Sequence, residues 1–411
     1  MKTIFRQVSV FNGHDEQLAH NRDVIIEDGT IAAIAEHGVS VDGAEVIEGG
    51  GRVLMPGLID NHVHIYATTP NVQAFRTMPP TYAAHYAARF MDHALKCGFT
   101  TIRDVGGGDI GAANALRDKM LVGPRLYFGG RALSQTGGHG DLRHAEEDGL
   151  LHCCGCGGAD NLITVVVDGV DAVRAATREE LRRGASHIKI MGSGGVASPT
   201  DPLDRCQFAD EEILAIVDEA TRWGSYVAAH CHPTEAIRRC AQLGVRTIEH
   251  GSLIDQPTAA FVAEKGAFVV PTLATAFALK EDGPKLGLPP VSYEKLLRVV
   301  DRMVESLEIM HAEGVQMGFG TDLLGAAHVR QCTEFTLRAK VLRPIDILRA
   351  ACSVNAEILN ENGRLGRVVE GAHADLLLVD GNPLEDISLL AADGEKLAAI
   401  MLGGKFVKRA C

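Results

Sequence analysis

The chain has 411 residues, 46% of them hydrophobic and 23% charged, proportions that exclude a disordered or fibrous protein and provide for a sizeable core. Its 40 basic side chains against 53 acidic ones leave a net charge of −13, which argues against a nucleic-acid backbone or an anionic membrane as partner, because either would be repelled. No window approaches the roughly 18 apolar residues of a membrane span, and the N-terminal MKTIFRQVSVFNGHDEQ turns polar before a signal-peptide core develops, so a cytoplasmic protein is expected.

The first segments, TIFRQVSVF, RDVIIEDGTIAAIAE with its Asp-Gly hairpin signal, and EVIEGGGRVLM, read as short β-strands. The closing stretches GRVVEGAHADLLLVDG and KLAAIMLGGKFVKRA read the same way. Residues 1–56 and 357–411 are therefore expected to build one small β-sandwich domain from both termini, with Pro56 at the boundary.

Between them, residues 57–356 carry apolar runs of strand length at 57–63, 99–105, 125–129, 187–191, 225–231, 245–249, 267–271 and 315–320. Amphipathic stretches such as TREELRRGAS, ADEEILAIVDEATRWG, PTEAIRRCAQLG and EKLLRVVDRMVESLEIMHAEG separate them, most closing on Gly. Eightfold alternation of strand and helix over about 260 residues predicts a (β/α)8 TIM barrel, an α/β fold. A doubly wound open sheet would bring a glycine fingerprint after the first strand, where this chain has NHVH.

Barrel enzymes place functional side chains at the C-terminal ends of strands. Metal-capable residues recur there: His62 and His64 on the first run, Lys189 on the fourth, His230 with His232 on the fifth, His250 on the sixth and Asp322 after the eighth. A single such histidine is more often a packing residue, and a strand lysine can snorkel to solvent. Several imidazoles, a lysine and a carboxylate converging on one barrel mouth cost several kcal/mol to bury unless paired or bound to a metal. Lys189 lies in the apolar HIKIM, where burial depresses an amine's pKa; the neutral amine can add carbon dioxide. The resulting carbamate has two oxygens and can bridge two metal ions about 3.5–4 Å apart.

The glycine runs Gly106–Gly108 and SGGVAS lack the GK[ST] of a phosphate loop, and the second is read as a pocket wall. Asp104 ends the second run in RDVGG and is read as structural. Ten cysteines scattered along the chain are expected to be reduced thiols. The cluster Cys153, Cys154, Cys156 is read as a structural or incidental loop, having no second cluster at zinc-ribbon spacing. A Schiff-base lyase could also use a barrel lysine, but would not need the strand-end histidines.

The runs LMPGLIDNHVH, IKIMGSGGVASPTD, AHCH followed 20 residues later by TIEHG, GFGTD, ALSQTGGHGD and ADLLLVDGNPLEDI together resemble the amidohydrolase superfamily, and within it the prolidase-like and ochratoxinase-like dipeptidases and carboxypeptidases. The resemblance implies that His62, His64 and Asp322 hold one divalent metal ion, that His230 and His250 hold a second, and that N6-carboxylated Lys189 bridges them. It implies zinc as the metal, with Mn or Co able to substitute. Asp322 would take the proton of the attacking hydroxide and deliver it to the leaving amine, while His139 hydrogen-bonds the developing oxyanion. His232 would meet a substrate carboxylate; the YVAAH pattern and the spacing to His250 favour His230 over His232 as ligand. Val196, in SGGVAS, would wall the substrate pocket. The implied substrates are dipeptides or N-acyl amino acids with an apolar or proline C-terminal residue, ochratoxin-type amides included, and the implied assembly is a homo-oligomer. Cyclic-amide hydrolysis or deamination are the neighbouring chemistries in the superfamily.

Overall fold

The computed structural model describes residues 2–144, 146–147, 161–198 and 200–409. The Cys153, Cys154, Cys156 cluster lies outside them. Strands from both ends of the chain meet in one sheet: β1 (Lys2–Val10), β2 (Ala19–Glu27), β3 (Thr30–Glu36), β4 (Glu45–Glu48) and β5 (Val53–Pro56) from the beginning. From the other end come β15 (Leu376–Val379), β16 (Leu397–Leu402) and β17 (Lys405–Arg409). Their order is β17-β16-β15-β5-β1-β2-β3, with β4 on β1, and the junction is antiparallel, Leu54 opposite Leu378. The Asp28–Gly29 pair makes the expected turn between β2 and β3. Alternate residues face a core of their own, including Phe5, Val8, Val24, Ile26, Leu54, Leu376 and Met401, as half-buried strands require.

A sandwich of two stacked sheets was the expectation; the pairing is that of one continuous sheet. The reason lies in β1. Its first half, Thr3–Arg6, runs parallel to β4, its last residues, Ser9–Val10, run parallel to β5, and a bulge between them carries Gln7 at φ 55. One bent strand thus hydrogen-bonds into both parts, and no edge separates them.

The middle of the chain is α/β with parallel strands. β6 (Leu58–Val63), β7 (Phe99–Asp104) and β8 (Arg125–Phe128) form a three-stranded sheet. β9 (Ala132–Ser134), β10 (Thr164–Val166), β11 (Ile188–Met191), β12 (Val227–Pro233), β13 (Thr247–Leu253) and β14 (Phe268–Val270) form a six-stranded one in the order β10-β9-β11-β12-β13-β14. Two connections join them. The Ser186 N–H donates to the Phe128 carbonyl at 2.8 Å, and the third predicted run continues past a bend into β9, beside β11. The eighth predicted run makes only an isolated bridge, Met317 to Val269, but it touches both neighbours. On one side the Gly318 N–H donates to the Val269 carbonyl (2.8 Å); on the other Asn61 donates to Phe319 and Asp322 to His62 (2.8 Å each). β10 is a strand that the sequence pattern did not single out.

Helices follow the strands as the amphipathic stretches predict. Asp210–Arg222 opens on Asp210, Glu211 and Glu212 and ends on Arg222, charges that suit its dipole, while Ile213, Ile216 and Ala220 are buried. The long EKLLRVVDRMVESLEIMHAEG stretch is two helices, Pro290–Val300 and Met303–Ala312. The turn between them leaves the buried series Leu296, Val299, Val300, Met303, Leu307 and Met310 in step, so the pattern reads as one helix. Among the described residues no helix is long and apolar enough to cross a membrane.

Candidate active site

The C-terminal ends of the central strands face one cavity of about 130 Å³. His62 and His64, at i and i+2 on the end of β6, both line it, as do Lys189, His230, His232, His250 and Asp322. His62 Nε2 and His64 Nε2 stand 3.4 and 3.3 Å from Asp322 Oδ1, and His62, His250 and Asp322 offer ligand atoms within 4.8 Å of one another. His62 and His64 have their other nitrogen tied down, whereas His250 is held by the nitrogen that lies nearer Asp322, 4.0 Å from Oδ2. His62 Nδ1 donates to Glu249 Oε2 at 2.7 Å, His64 Nδ1 to the Gly106 carbonyl at 2.9 Å, and His250 Nδ1 lies 2.8 Å from Thr272 Oγ1. For His62 and His64 this is how metal-binding histidines are oriented, with a carboxylate or carbonyl fixing the ring so that the second nitrogen faces the ion.

His230 gives the sharper test of fit. Its Nε2 is buried and has no hydrogen-bond partner, a condition that costs about 1–3 kcal/mol unless something satisfies the lone pair. Burial first, then the neighbouring His139 and His250, hold its pKa well below the usual value, so the ring is neutral and its lone pair available. The donor set is one a divalent metal accepts, and the residues present fit it. Burial also brings the Lys189 amine down to about 8, against the pull of Glu249 and Asp322. Roughly a tenth of it is then uncharged at neutral pH, far more than for a free lysine. Burial opposes ionisation of Asp322, but His62 and His64 outweigh it and hold the carboxyl well below the usual range.

Two of the candidate residues sit in left-handed backbone, His250 at φ 73 and Asp322 at φ 54, a conformation that costs L-residues about 1–2 kcal/mol. Such strain collects at functional sites. In Asp322 it is held by the chain itself, whose N–H donates to the His62 carbonyl.

His139 stacks on His230, ring centres 4.4 Å apart. Its Nδ1 lies 3.2 Å from Asp201 Oδ2 and its N–H donates to Gln207 Oε1 at 2.9 Å. His232 stacks on His250 at 5.0 Å, with Nδ1 3.2 Å from Ser252 Oγ, and burial takes its pKa down to about 3. Val196 and Ala197 of SGGVAS line the cavity. Its remaining walls are apolar, with Val72, Phe75, Leu142, Ile163, Leu279 and Met303 prominent. Among the described residues the lining holds no arginine and no carboxylate besides Asp322.

The other glycine run is not a phosphate cradle. The amides of Gly106 and Gly108 already donate to Asp104 Oδ1 (2.9 and 2.8 Å), and Ile65 donates to Oδ2 at 2.6 Å. Asp104 thus shapes the loop whose Gly106 carbonyl holds His64, a structural part.

Sequence reasoning missed the polar layer beneath the histidines. Arg103, fully buried, donates to the Asn61 carbonyl (2.7 Å) and to Glu249 Oε1 (2.8 Å). Glu249 also accepts from Thr247 Oγ1 at 2.6 Å. Asp60 accepts from Thr321 Oγ1 (2.6 Å) and Gln331 (2.7 Å), tying β6 to the segment that carries Asp322. The available signal was a charged residue inside an otherwise apolar run: Asp60 in LIDNHV, Glu249 in TIEH.

Comparison with known proteins gives the family. The profile of the amidohydrolase family matches residues 53–407. The ochratoxinase of Aspergillus niger is 32% identical over 368 residues, covering 87% of this chain and 76% of that protein. A crystal structure of an amidohydrolase superposes with a TM-score of 0.96 at 45% identity, covering 100% of this chain and 99% of that one. The crystal structure of a prolidase complexed with N-methylphosphonate-L-proline superposes with a TM-score of 0.95 at 44% identity, over 100% of both chains. With a profile match across most of its length and relatives of this similarity, the chain belongs to the amidohydrolase family.

Proposed function

We propose that this protein is a metal-dependent hydrolase of amide bonds that releases a C-terminal L-amino acid, apolar or proline, from dipeptides or N-acyl amino acids. The observation that carries the reading is the convergence of His62, His64, Lys189, His230, His250 and Asp322 on one apolar-walled cavity. The prolidase and ochratoxinase relatives support the substrate class. On this reading the parallel segments close into a (β/α)8 barrel spanning residues 57–356, supported by the hydrogen bonds on both sides of the 315–322 segment. Residues 1–56 and 357–411 form the accompanying β domain.

His62, His64 and Asp322 would hold one divalent ion, His230 and His250 a second, and a carbamate on Lys189 would join them, with zinc the natural occupant of such N and O donors. Bound there, the ions polarise the amide carbonyl and bring the pKa of a water close to neutral. The chain's own groups do the rest. Asp322 accepts the proton of the attacking water and passes it to the leaving amine, a task for a carboxylate that stays ionised until it is used. As an imidazolium, with Nδ1 donating to Asp201, His139 has Nε2 left to donate to the developing oxyanion. His232, a neutral N–H donor, meets the substrate carboxylate, and Val196 with the apolar wall receives the side chain or proline ring next to it. The same wall keeps water from the reacting amide, and among the described residues it offers no anchor to a cationic side chain.

The test is metal analysis of protein produced with added zinc, followed by amino-acid release from a panel of Xaa-Pro and Xaa-apolar dipeptides and N-acyl amino acids. Bound metal with release from this panel is expected. Metal-free protein that releases no amino acid overturns the reading.

A further inference from the structure

Outside the cavity a second group of ligand-type side chains comes together. The thiols of Cys97 and Cys332 and the carboxylate of Asp393 offer ligand atoms within 4.8 Å of one another, and His93 Nε2 lies 3.6 Å from Cys97 Sγ. None of the four lines the cavity. They arrive from three distant parts of the chain. His93 is in the last turn of the helix Pro80–Lys96 and Cys97 caps it, so their i, i+4 spacing puts both on one face. Cys332 immediately precedes the helix Thr333–Arg338. Asp393 lies in the turn before β16, in left-handed backbone at φ 46. That turn is pressed onto the end of the first helix: a Cβ on Gly394 would fall 2.1 Å from the Lys96 carbonyl oxygen. Lys408 Nζ holds the turn from the other side, 2.8 Å from the Gly394 carbonyl. The thiols are buried, 2% and 1% exposed, while Asp393 is exposed and His93 half-buried. Sulfur therefore forms the floor, and the imidazole and carboxylate form the rim.

Two buried thiols alone would be ordinary, and both are free. What singles them out is that a carboxylate lies within 4.8 Å of both and an imidazole within 3.6 Å of one, neither of which a disulfide needs. Zn–S and Zn–N bonds of about 2.3 and 2.0–2.1 Å set donors around a tetrahedron some 3.5 Å apart, which matches the 3.6 Å between His93 Nε2 and Cys97 Sγ. We propose that His93, Cys97, Cys332 and Asp393 form a second, structural metal site for a thiophilic divalent cation, zinc first among them. Cys97, Cys332 and Asp393 already stand within mutual reach, while His93 stands against Cys97 and would supply the fourth donor by turning towards the other two; the site would then be closed, with no place for substrate or water. Binding displaces the two thiol protons to solvent and forms two metal–sulfur, one metal–nitrogen and one metal–oxygen bond, without any redox change. Its effect would be to fasten the Cys332 loop and the β16 turn of the terminal sheet to the end of the helix Pro80–Lys96.

Cobalt(II) is the probe. A cobalt ion bound by thiolate shows a charge-transfer band in the near ultraviolet, and among the described residues no cysteine lines the cavity, so the loss of the band on removing Cys97 and Cys332 reports the second site whatever the fate of the proposed hydrolase activity. Protein stripped by chelator and reloaded with cobalt should show the band, and the double variant Cys97→Ser/Cys332→Ser should lose it together with one equivalent of metal. A reloaded wild-type protein without the band overturns the proposal. So does a band that survives in the double variant, which would trace to other thiols, such as Cys231 and Cys240, 3.6 Å apart, or the Cys153, Cys154, Cys156 cluster outside the described residues. Mass analysis finding Cys97 joined to Cys332 in a disulfide would overturn it as well. Asp393→Asn, at an exposed position, should release zinc to a chelator at least about tenfold more readily; unchanged retention removes Asp393 from the ligand set and overturns the four-ligand site.

Discussion

Gly195 is the position where a single methyl group does most damage at the cavity. A Cβ there would stand 2.3 Å from His139 Cε1, 2.5 Å from His139 Nε2 and 2.6 Å from His230 Nε2. Since non-bonded carbons rest at about 3.5–4.0 Å, rings and loop must part by about 1 Å. Neither side has slack. The Gly195 N–H donates to Asp201 Oδ2 at 2.8 Å, the same oxygen that faces His139, and Lys295 Nζ holds the Gly195 carbonyl at 3.1 Å. His230 is paired in β12 against β11 on one side and β13 on the other. Overpacking of this kind costs about 1–3 kcal/mol, which a stability of about 5–15 kcal/mol survives. A 1 Å displacement of a reacting group costs about 100-fold in rate. Gly195→Ala should therefore remain folded, melt a few degrees lower at about 2–4 °C per kcal/mol, and lose kcat/KM by about 100-fold with part of its metal. The assay is amino-acid release beside metal analysis and a thermal melt. A Gly195→Ala protein with unchanged kcat/KM and metal content would refute the argument.

The other expectations concern single interactions. Asp322→Asn should keep nearly all its metal yet lose turnover by about 100-fold to 10,000-fold; an active Asn variant removes the proton-transfer role. Arg103→Met leaves Glu249 buried without its guanidinium, and denaturant unfolding should show a loss of about 3–5 kcal/mol, whereas no measurable loss would mean that Thr247 and His62 suffice. Asp23, fully buried, accepts from His37 and from the amides of Gln7, Gly38 and Val39. Burial opposes its charge, but those four donors prevail and hold its pKa at about 2 against the ordinary 3.8. A folded pKa below the unfolded one stabilises above the unfolded value and fades as pH falls towards the folded one. Asp23→Ala should therefore cost about 2 kcal/mol near neutral pH and progressively less below pH 4; a difference independent of pH would contradict this.

The residues that face the cavity were legible because they break a pattern. Histidines after apolar runs and a lysine inside one stand out against strand alternation, and five strand ends gave the same signal. The layer beneath was not legible from alternation alone. Glu249 and His250 are sequence neighbours, and strict period-2 geometry sends neighbours to opposite faces, yet both serve the centre, one bonded to His62 and the other lining the cavity. The left-handed backbone at His250 turns its side chain out of the strand's regular alternation, and no propensity marks that turn in advance. The sandwich expectation failed for a similar reason, since a bulge at Gln7 lets β1 serve two partners and a bulge is invisible in the apolar pattern.

That lower layer also explains how so many ionisable groups lie in one core. His62 stands between two carboxylates, Glu249 on its Nδ1 side and Asp322 on its Nε2 side. Glu249 is matched by Arg103, a buried and fully hydrogen-bonded pair, so its charge is accounted for within the protein. Asp322 has no guanidinium or ammonium partner among the described ion pairs; only imidazoles meet it, His62, His64 and His250. Neutral imidazoles cannot balance a half-buried carboxylate, and protonated ones would place several like charges within about 5 Å, centroid distances of 5.4 Å for His62–His64 and 4.9 Å for His62–His250. The proposed cation, held between the rings and Asp322, would resolve both difficulties at once: it would neutralise the carboxylate and let every imidazole remain neutral, the form in which it is a ligand. The asymmetry between the two carboxylates, one paired by arginine and one left to imidazoles, is thus the electrostatic argument for placing the proposed metal beside Asp322.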